Sequence, residues 1–154
     1  MIEPGDPAPP FTLPDQHGRE VSLADFAGRT VVLYFYPKAD TPGCTTQACG
    51  VRDRAADYER AGAVVLGVSP DPPERLSAFD GKHGLGFPLL SDADHTVAEA
   101  YGTWVEKSMY GRRFWGTERT TFVIGPDGHV VEVLRKVKPA RHDELVLEAL
   151  GAAA

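Results

Sequence analysis

What this sequence has least of is sulfur: two cysteines and two methionines in 154 residues. So few cysteines exclude the dense disulfide framework that holds many small secreted domains together. Long apolar runs are also missing. The longest, "VVLYFY" and "AGAVVLGV", have strand length and fall far short of the roughly 18 apolar residues of a membrane-spanning helix. There is no excess of positive charge. Sixteen Lys and Arg stand against 22 Asp and Glu, a net charge of −6, so neither nucleic acid nor a membrane is expected as a partner. The opening "MIEPGDPAPP" has no basic and no apolar region, so no signal peptide is expected. The expected location is the cytoplasm, where thiols are kept reduced. Two cysteines there are more often inert, catalytic or redox-active than a structural staple.

What is present suits one soluble domain over residues 1–154. Hydrophobic residues make up 42% and charged residues 25%, and this length can bury a core. "EPGDPAPPFTL" reads as an irregular lead-in, and "FTLPDQHGREVSL" as two short strands around a turn. "SLADFAG" fits a helical turn capped by Ser22 and stopped by Gly28. The continuous apolar run Thr30–Tyr36 is the pattern of a strand buried on both faces, ended by Pro37.

A helix is predicted next, with Thr41 as N-cap, Pro42 at its first position and Gly62 as its stop. At about 100° per residue, Ala48, Val51, Ala55 and Tyr58 share a face with Cys44. "AVVLGVS" is a second buried strand, and "DPPERLSAFDGKHG" a helix capped by Asp71. "FPLLSD" is a short strand and "HTVAEAYG" a short helix. "WVEKSMYGRRFWG" reads as a loop whose Trp104, Tyr110, Phe114 and Trp115 pack, form an interface or collar a pocket. "RTTFVI" and "HVVEVLR" form a hairpin across "GPDG", and "ARHDELVLEALG" is a closing amphipathic helix. Strands alternating with helices imply an α/β fold, with a central mixed sheet, helices on both faces and an N-terminal β-hairpin.

Cys44 falls in the first turn of its predicted helix, where amide N–H groups lack partners and the helix dipole is positive; both favour a thiolate. Gly43 lets a small molecule approach the backbone. The plainer alternative is a small apolar residue on a buried stripe. Cys49 lies about 140° further round, on the polar face, where a cysteine needs a reason unless it is an unselected surface residue. Residues five apart on a helix have Cα atoms roughly 8.6 Å apart, beyond the roughly 6.8 Å that a disulfide tolerates. If the two pair, the helix must open. A dithiol exchanger gains nothing from that. A peroxidase does: the first thiolate stays free until a peroxide oxidises it to a sulfenic acid, and the second thiol then condenses with it.

"YPKADTPGCTTQAC" resembles the peroxiredoxins, specifically the branch of the bacterioferritin comigratory protein and peroxiredoxin Q. The family's pattern of Pro, three residues, Thr, two residues and Cys is met by Pro37, Thr41 and Cys44. "FTLPDQHG", "VVLYFYPK", "LGVSPD", "PLLSD", "WVEKSMYGR" and "RTTFVIGPDG" extend the likeness over nearly the whole chain. The resemblance implies a thioredoxin-like fold and a thiol-dependent peroxidase acting on hydrogen peroxide and organic hydroperoxides. It implies Cys44 as the peroxidatic cysteine and Cys49 as the resolving one. Thr41 would hydrogen-bond the peroxide, Pro37 shield the thiolate, and Arg119 polarise the peroxide. Read without the family, Thr41 is an N-cap, Pro37 a strand terminator and Arg119 a solvated strand end.

With no cysteine in the C-terminal half, the implied disulfide lies within one chain, and thioredoxin or a similar dithiol would reduce it. A monomer is the default expectation. No cofactor and no metal are expected. By count a Cys₂His₂ zinc site is open, but none of the five histidines lies close to the cysteines in sequence. Two other readings stay open: a peroxide-sensing switch using the same disulfide, and a non-catalytic domain with incidental thiols.

Overall fold

The computed structural model describes residues 2–153. Its centre is a five-stranded mixed sheet. The strand Thr30–Phe35 (β3) has no charged residue and is buried along nearly its whole length, so it needs cover on both faces. It lies mid-sheet, counting β1 (Thr12–Pro14) and β2 (Glu20–Ser22) as the antiparallel hairpin before it. Parallel to it runs β4 (Ala63–Ser69), then β5 (Leu89–Ser91). On its other side runs β8 (Thr121–Ile124), antiparallel to β3, and then β9 (Val130–Leu134), antiparallel to β8. The sheet order is β5-β4-β3-β8-β9.

Successive residues of a strand point to opposite faces. Val32, Tyr34 and Tyr36 therefore join one core layer, and Val31, Leu33 and Phe35 the other. The first layer is closed by α1 (Pro42–Asp53), α2 (Ala55–Arg60), α3 (Pro73–His83) and α5 (His142–Ala153), through Cys44, Tyr58, Phe79 and Val146 among others. The second is closed by α4 (Thr96–Ala100) and the N-terminal segment, through Val97, Tyr101, Phe11 and Leu13. Helices cover both faces, as the order of strands and helices implied.

Three expectations are corrected. The helix does not run on to Gly62: it breaks at Arg54 (φ −103°, ψ 16°) into α1 and α2. The break rotates the second piece, so Ala55 is exposed while Cys44, Ala48, Val51 and Tyr58 are buried. Asp71 does not cap α3, whose start is set one residue later by Pro72 and Pro73. Its buried carboxylate instead accepts from Ala39 N at 2.7 Å and Ser69 Oγ at 2.8 Å, fixing the loop before α1. The aromatic segment is a β-hairpin and not a loop: β6 (Trp104–Met109) pairs with β7 (Arg112–Thr117). Tyr110 and Gly111 both take positive φ, 52° and 77°, the two-residue turn whose twist suits a hairpin.

Candidate active site

The chain leaves β3 at Tyr36 and turns through Pro37–Thr41 into α1. This turn is pinned at each step. Ala39 is held by Asp71. Asp40 sits in the left-handed region (φ 62°), and its carboxylate meets Lys82 Nζ at 3.0 Å and His83 Nε2 at 3.3 Å. Hydrogen bonds from Lys82 and then His83 lower its pKa. Thr41 occupies the N-cap position in extended backbone, but its hydroxyl makes no cap. It donates to Lys38 O at 2.8 Å, which leaves the oxygen lone pairs as acceptors. Pro37 is half-buried at the start of the turn.

Cys44 is the third residue of α1 and 1% exposed. The first intrahelical bond is Thr45 N to Thr41 O, 2.8 Å, so the amides of Gly43 and Cys44 precede it and remain donors at the helix start. Arg119, in the residues leading into β8, donates from Nη2 to the Cys44 sulfur at 3.3 Å. Its Nη1 donates to Gln47 Oε1 at 2.6 Å. Gln47 is fully buried one helical turn after Cys44, so one face of α1 presents both partners of the guanidinium fork. Gly43 makes room for it: a Cβ there would lie 3.3 Å from both Arg119 Nη2 and Pro139 Cγ. Tyr34 and Tyr36 wall the site from the sheet. Burial raises both hydroxyl pKa values, and a charge on Cys44 raises them further.

Outward of Arg119 is a hollow of about 540 Å³ between the β6–β7 hairpin and the residues after β9. Lys107, Phe114, Glu118, Arg119 and Lys136 line it. Lys107 is half-buried; burial first, then the charge of Arg119, lowers its pKa. Tyr110 and Trp115 are exposed on the hairpin, whereas Trp104 stacks on His95 at 4.0 Å.

Cys44 is thus a buried sulfur at a helix start, with Thr41 before it and Arg119 on it. Residues 4–133 match the AhpC/TSA family. The chain is a peroxiredoxin of the AhpC/TSA family. Peroxiredoxin Bcp of Escherichia coli is 50% identical to it, covering 97% of this chain and 96% of that one. A cysteine-to-serine mutant of peroxiredoxin Q from Xylella fastidiosa superposes with a TM-score of 0.94 at 36% identity, covering 99% and 98% of the two chains. The bacterioferritin comigratory protein of Xanthomonas campestris, studied for alkyl peroxide reduction, does so at 0.88 and 41% identity, over 93% and 91%.

In this peroxiredoxin both cysteines are free thiols, and α1 runs unbroken through Cys49. Cys49 is not on an open polar face, as its helical angle suggested. It is half-buried and packs against the core layer under α1. The structure thus brings Cys44 and Arg119 together, places Thr41 and Pro37 in the turn that leads into α1, and keeps Cys49 on the same helix. Gln47 and Lys107 are additions. The signal for Gln47 was its place three residues after Cys44; none pointed to Lys107. Among the described residues no helix is long and apolar enough to cross a membrane.

Proposed function

We propose that this peroxiredoxin reduces hydrogen peroxide and organic hydroperoxides through the thiolate of Cys44. The thiolate attacks one peroxide oxygen, becomes a sulfenic acid and releases water or an alcohol. Thr41 accepts a hydrogen bond from the peroxide through its hydroxyl oxygen, and Arg119 stabilises the charge as it moves from sulfur to oxygen. Pro37 shields the sulfur from bulk water. Cys49 then attacks the sulfenic sulfur, giving an intrachain disulfide and water. Thioredoxin or a similar dithiol restores the two thiols, in the cytoplasm, with the protein acting as a monomer.

The observation that carries this reading is the 3.3 Å contact of Arg119 Nη2 with the Cys44 sulfur at the start of α1. A preorganised cation where charge develops is the largest single aid an active site offers such a step. The alkyl peroxide reduction of the Xanthomonas relative supports the substrate class.

Intact mass after one equivalent of hydrogen peroxide tests it. The wild-type chain should lose two hydrogens as the disulfide forms. Cys49→Ser should gain one or two oxygens on Cys44, and Cys44→Ser should not react. A Cys44→Ser protein that still consumes peroxide with thioredoxin would end this reading.

A further inference from the structure

One proton in this reaction has no source among the residues already assigned. When the Cys44 thiolate takes the outer oxygen of a hydroperoxide, the O–O bond breaks and its electron pair leaves on the inner oxygen. An alkoxide or hydroxide is a strong base, and its departure is eased by a proton delivered as the bond breaks. Arg119 cannot supply it, because a guanidinium does not deprotonate in proteins. Thr41 already gives its hydroxyl hydrogen to Lys38 O at 2.8 Å.

Displacement is in line, so the leaving oxygen lies on the side away from the sulfur. Cys44 is buried, and Arg119 connects it to the hollow. Lys107 lines the same hollow as Arg119, so a leaving oxygen directed past Arg119 into the hollow enters the space that Lys107 borders. The stem of Lys107 lies over Gly116 of the paired strand, where a Cβ would come 3.4 Å from Lys107 Cδ. Neither acid beside it takes its charge. Glu106 pairs with Arg113 at 3.4 Å, and Glu118 with Arg135 at 3.5 Å. The other charged groups facing it are Arg119, the Cys44 sulfur and Lys136, of which Lys136 is exposed. Burial and the neighbouring Arg119 lower its pKa, against the pull of Cys44 and Glu118. Each of the first two makes the ammonium a better acid.

We propose that Lys107 is the general acid of the peroxide step, donating a proton to the leaving oxygen from the wall of the hollow. This rests on the peroxidase reading above. The step balances without a further reagent. The S–O bond forms as the O–O bond breaks, sulfur loses two electrons, and the peroxide gains them. The leaving oxygen receives the Lys107 proton and departs as alcohol or water, and water reprotonates the amine.

Two substrates with different leaving groups test it. tert-Butyl hydroperoxide expels an alkoxide that needs a proton, whereas peroxyacetic acid expels acetate, which does not. Rapid mixing followed by acid quench and intact mass reads Cys44 oxidation. Lys107→Met should lose on the order of 10²-fold with tert-butyl hydroperoxide and change little with peroxyacetic acid. Lys107→Arg keeps the charge but not the labile proton and should fail in the same way. Equal loss with both substrates would make Lys107 merely structural and overturn the proposal. Recovery by Lys107→Arg would overturn it too, by showing that charge alone suffices. Failure of the wild-type protein to oxidise Cys44 with either substrate would instead remove the peroxidase reading on which it rests.

Discussion

Gln47 and Arg119 are joined at 2.6 Å by a hydrogen bond that decides where the guanidinium points. Nη1 is spent on Gln47 Oε1, so the planar fork presents Nη2 to the Cys44 sulfur. In the proposed mechanism Gln47 therefore acts on the chemistry only through Arg119.

Gln47→Ala removes that acceptor and leaves a half-buried charged donor without its partner. A hydrogen bond to a charged group contributes about 1.5–3 kcal/mol, and part of that is lost from the transition state when Arg119 can turn away. The expected result is a fall of about tenfold in kcat/KM for hydrogen peroxide, with Cys44 still the oxidised residue. Gln47→Glu keeps the acceptor but adds a negative charge that competes with the sulfur for Arg119, so it should be impaired as well. Peroxide kinetics on the two variants check this; wild-type rates in Gln47→Ala would mean that Arg119 is oriented by something else.

The residues that could be read from spacing alone were those close together along the chain, whereas Arg119 came only from the family resemblance. Pro37, Thr41, Cys44 and Cys49 lie in one stretch, and cap and proline signals fixed the start of α1. Arg119 is 75 residues from Cys44, and only the antiparallel pairing of β8 with β3 brings it there. The break at Arg54 has no proline or glycine to announce it. The β6–β7 hairpin was hidden because its turn is Tyr-Gly, a weaker signal than Asn-Gly, and because Tyr110, Phe114 and Trp115 remain exposed. Residues of that kind suggest packing or an interface before they suggest a strand pair.

Gly50 and Asp143 provide a test of the packing between α1 and α5. A Cβ on Gly50 would collide with Asp143 Oδ2. Asp143 is not free to retreat, since it also accepts the hydroxyl of Tyr58, a buried residue of α2. Gly50→Ala must therefore push α5 away or break that hydrogen bond. Overpacking of this kind costs about 1–3 kcal/mol, offset by under about 1 kcal/mol of helix propensity. A lower urea midpoint with an unchanged slope is expected, and a midpoint at or above the wild-type value would contradict the contact.

Asp40 sets a pH dependence for the turn before α1. Lys82, then His83, hydrogen-bond its carboxylate and hold the folded-state pKa below the ordinary 3.8. A depressed carboxylate contributes stability that is present above its unfolded pKa and lost as pH falls through the folded one. The contribution should therefore be intact at pH 5 and fade below about pH 4. Asp40 is on the surface, so the effect is small and screened by salt. Asp40→Asn should flatten the acid limb of a stability-versus-pH curve measured at low ionic strength, while leaving the limb above neutrality alone. An acid limb as steep as that of the wild-type protein would remove Asp40 as its source.

In the proposed mechanism the intact α1 makes disulfide formation depend on helix opening, and Thr46 offers a way to alter that equilibrium without touching the site. Cys44 and Cys49 on one helix have Cα atoms roughly 8.6 Å apart, and no disulfide reaches so far. Thr46 is exposed between them and donates from its hydroxyl to Pro42 O at 3.0 Å, a side-chain bond that tends to loosen a helix. Thr46→Ala removes it and raises helix propensity by about 0.5 kcal/mol, which corresponds to about a twofold smaller open fraction. Peroxide attack needs the closed helix and should be unaffected. Resolution needs the open one and should slow about twofold, so excess peroxide has longer to carry the sulfenic acid on to sulfinic acid. The fraction of overoxidised Cys44, read by mass after a fixed dose of peroxide, should rise in Thr46→Ala. A fraction equal to or below that of the wild-type protein would mean that opening of α1 does not limit resolution.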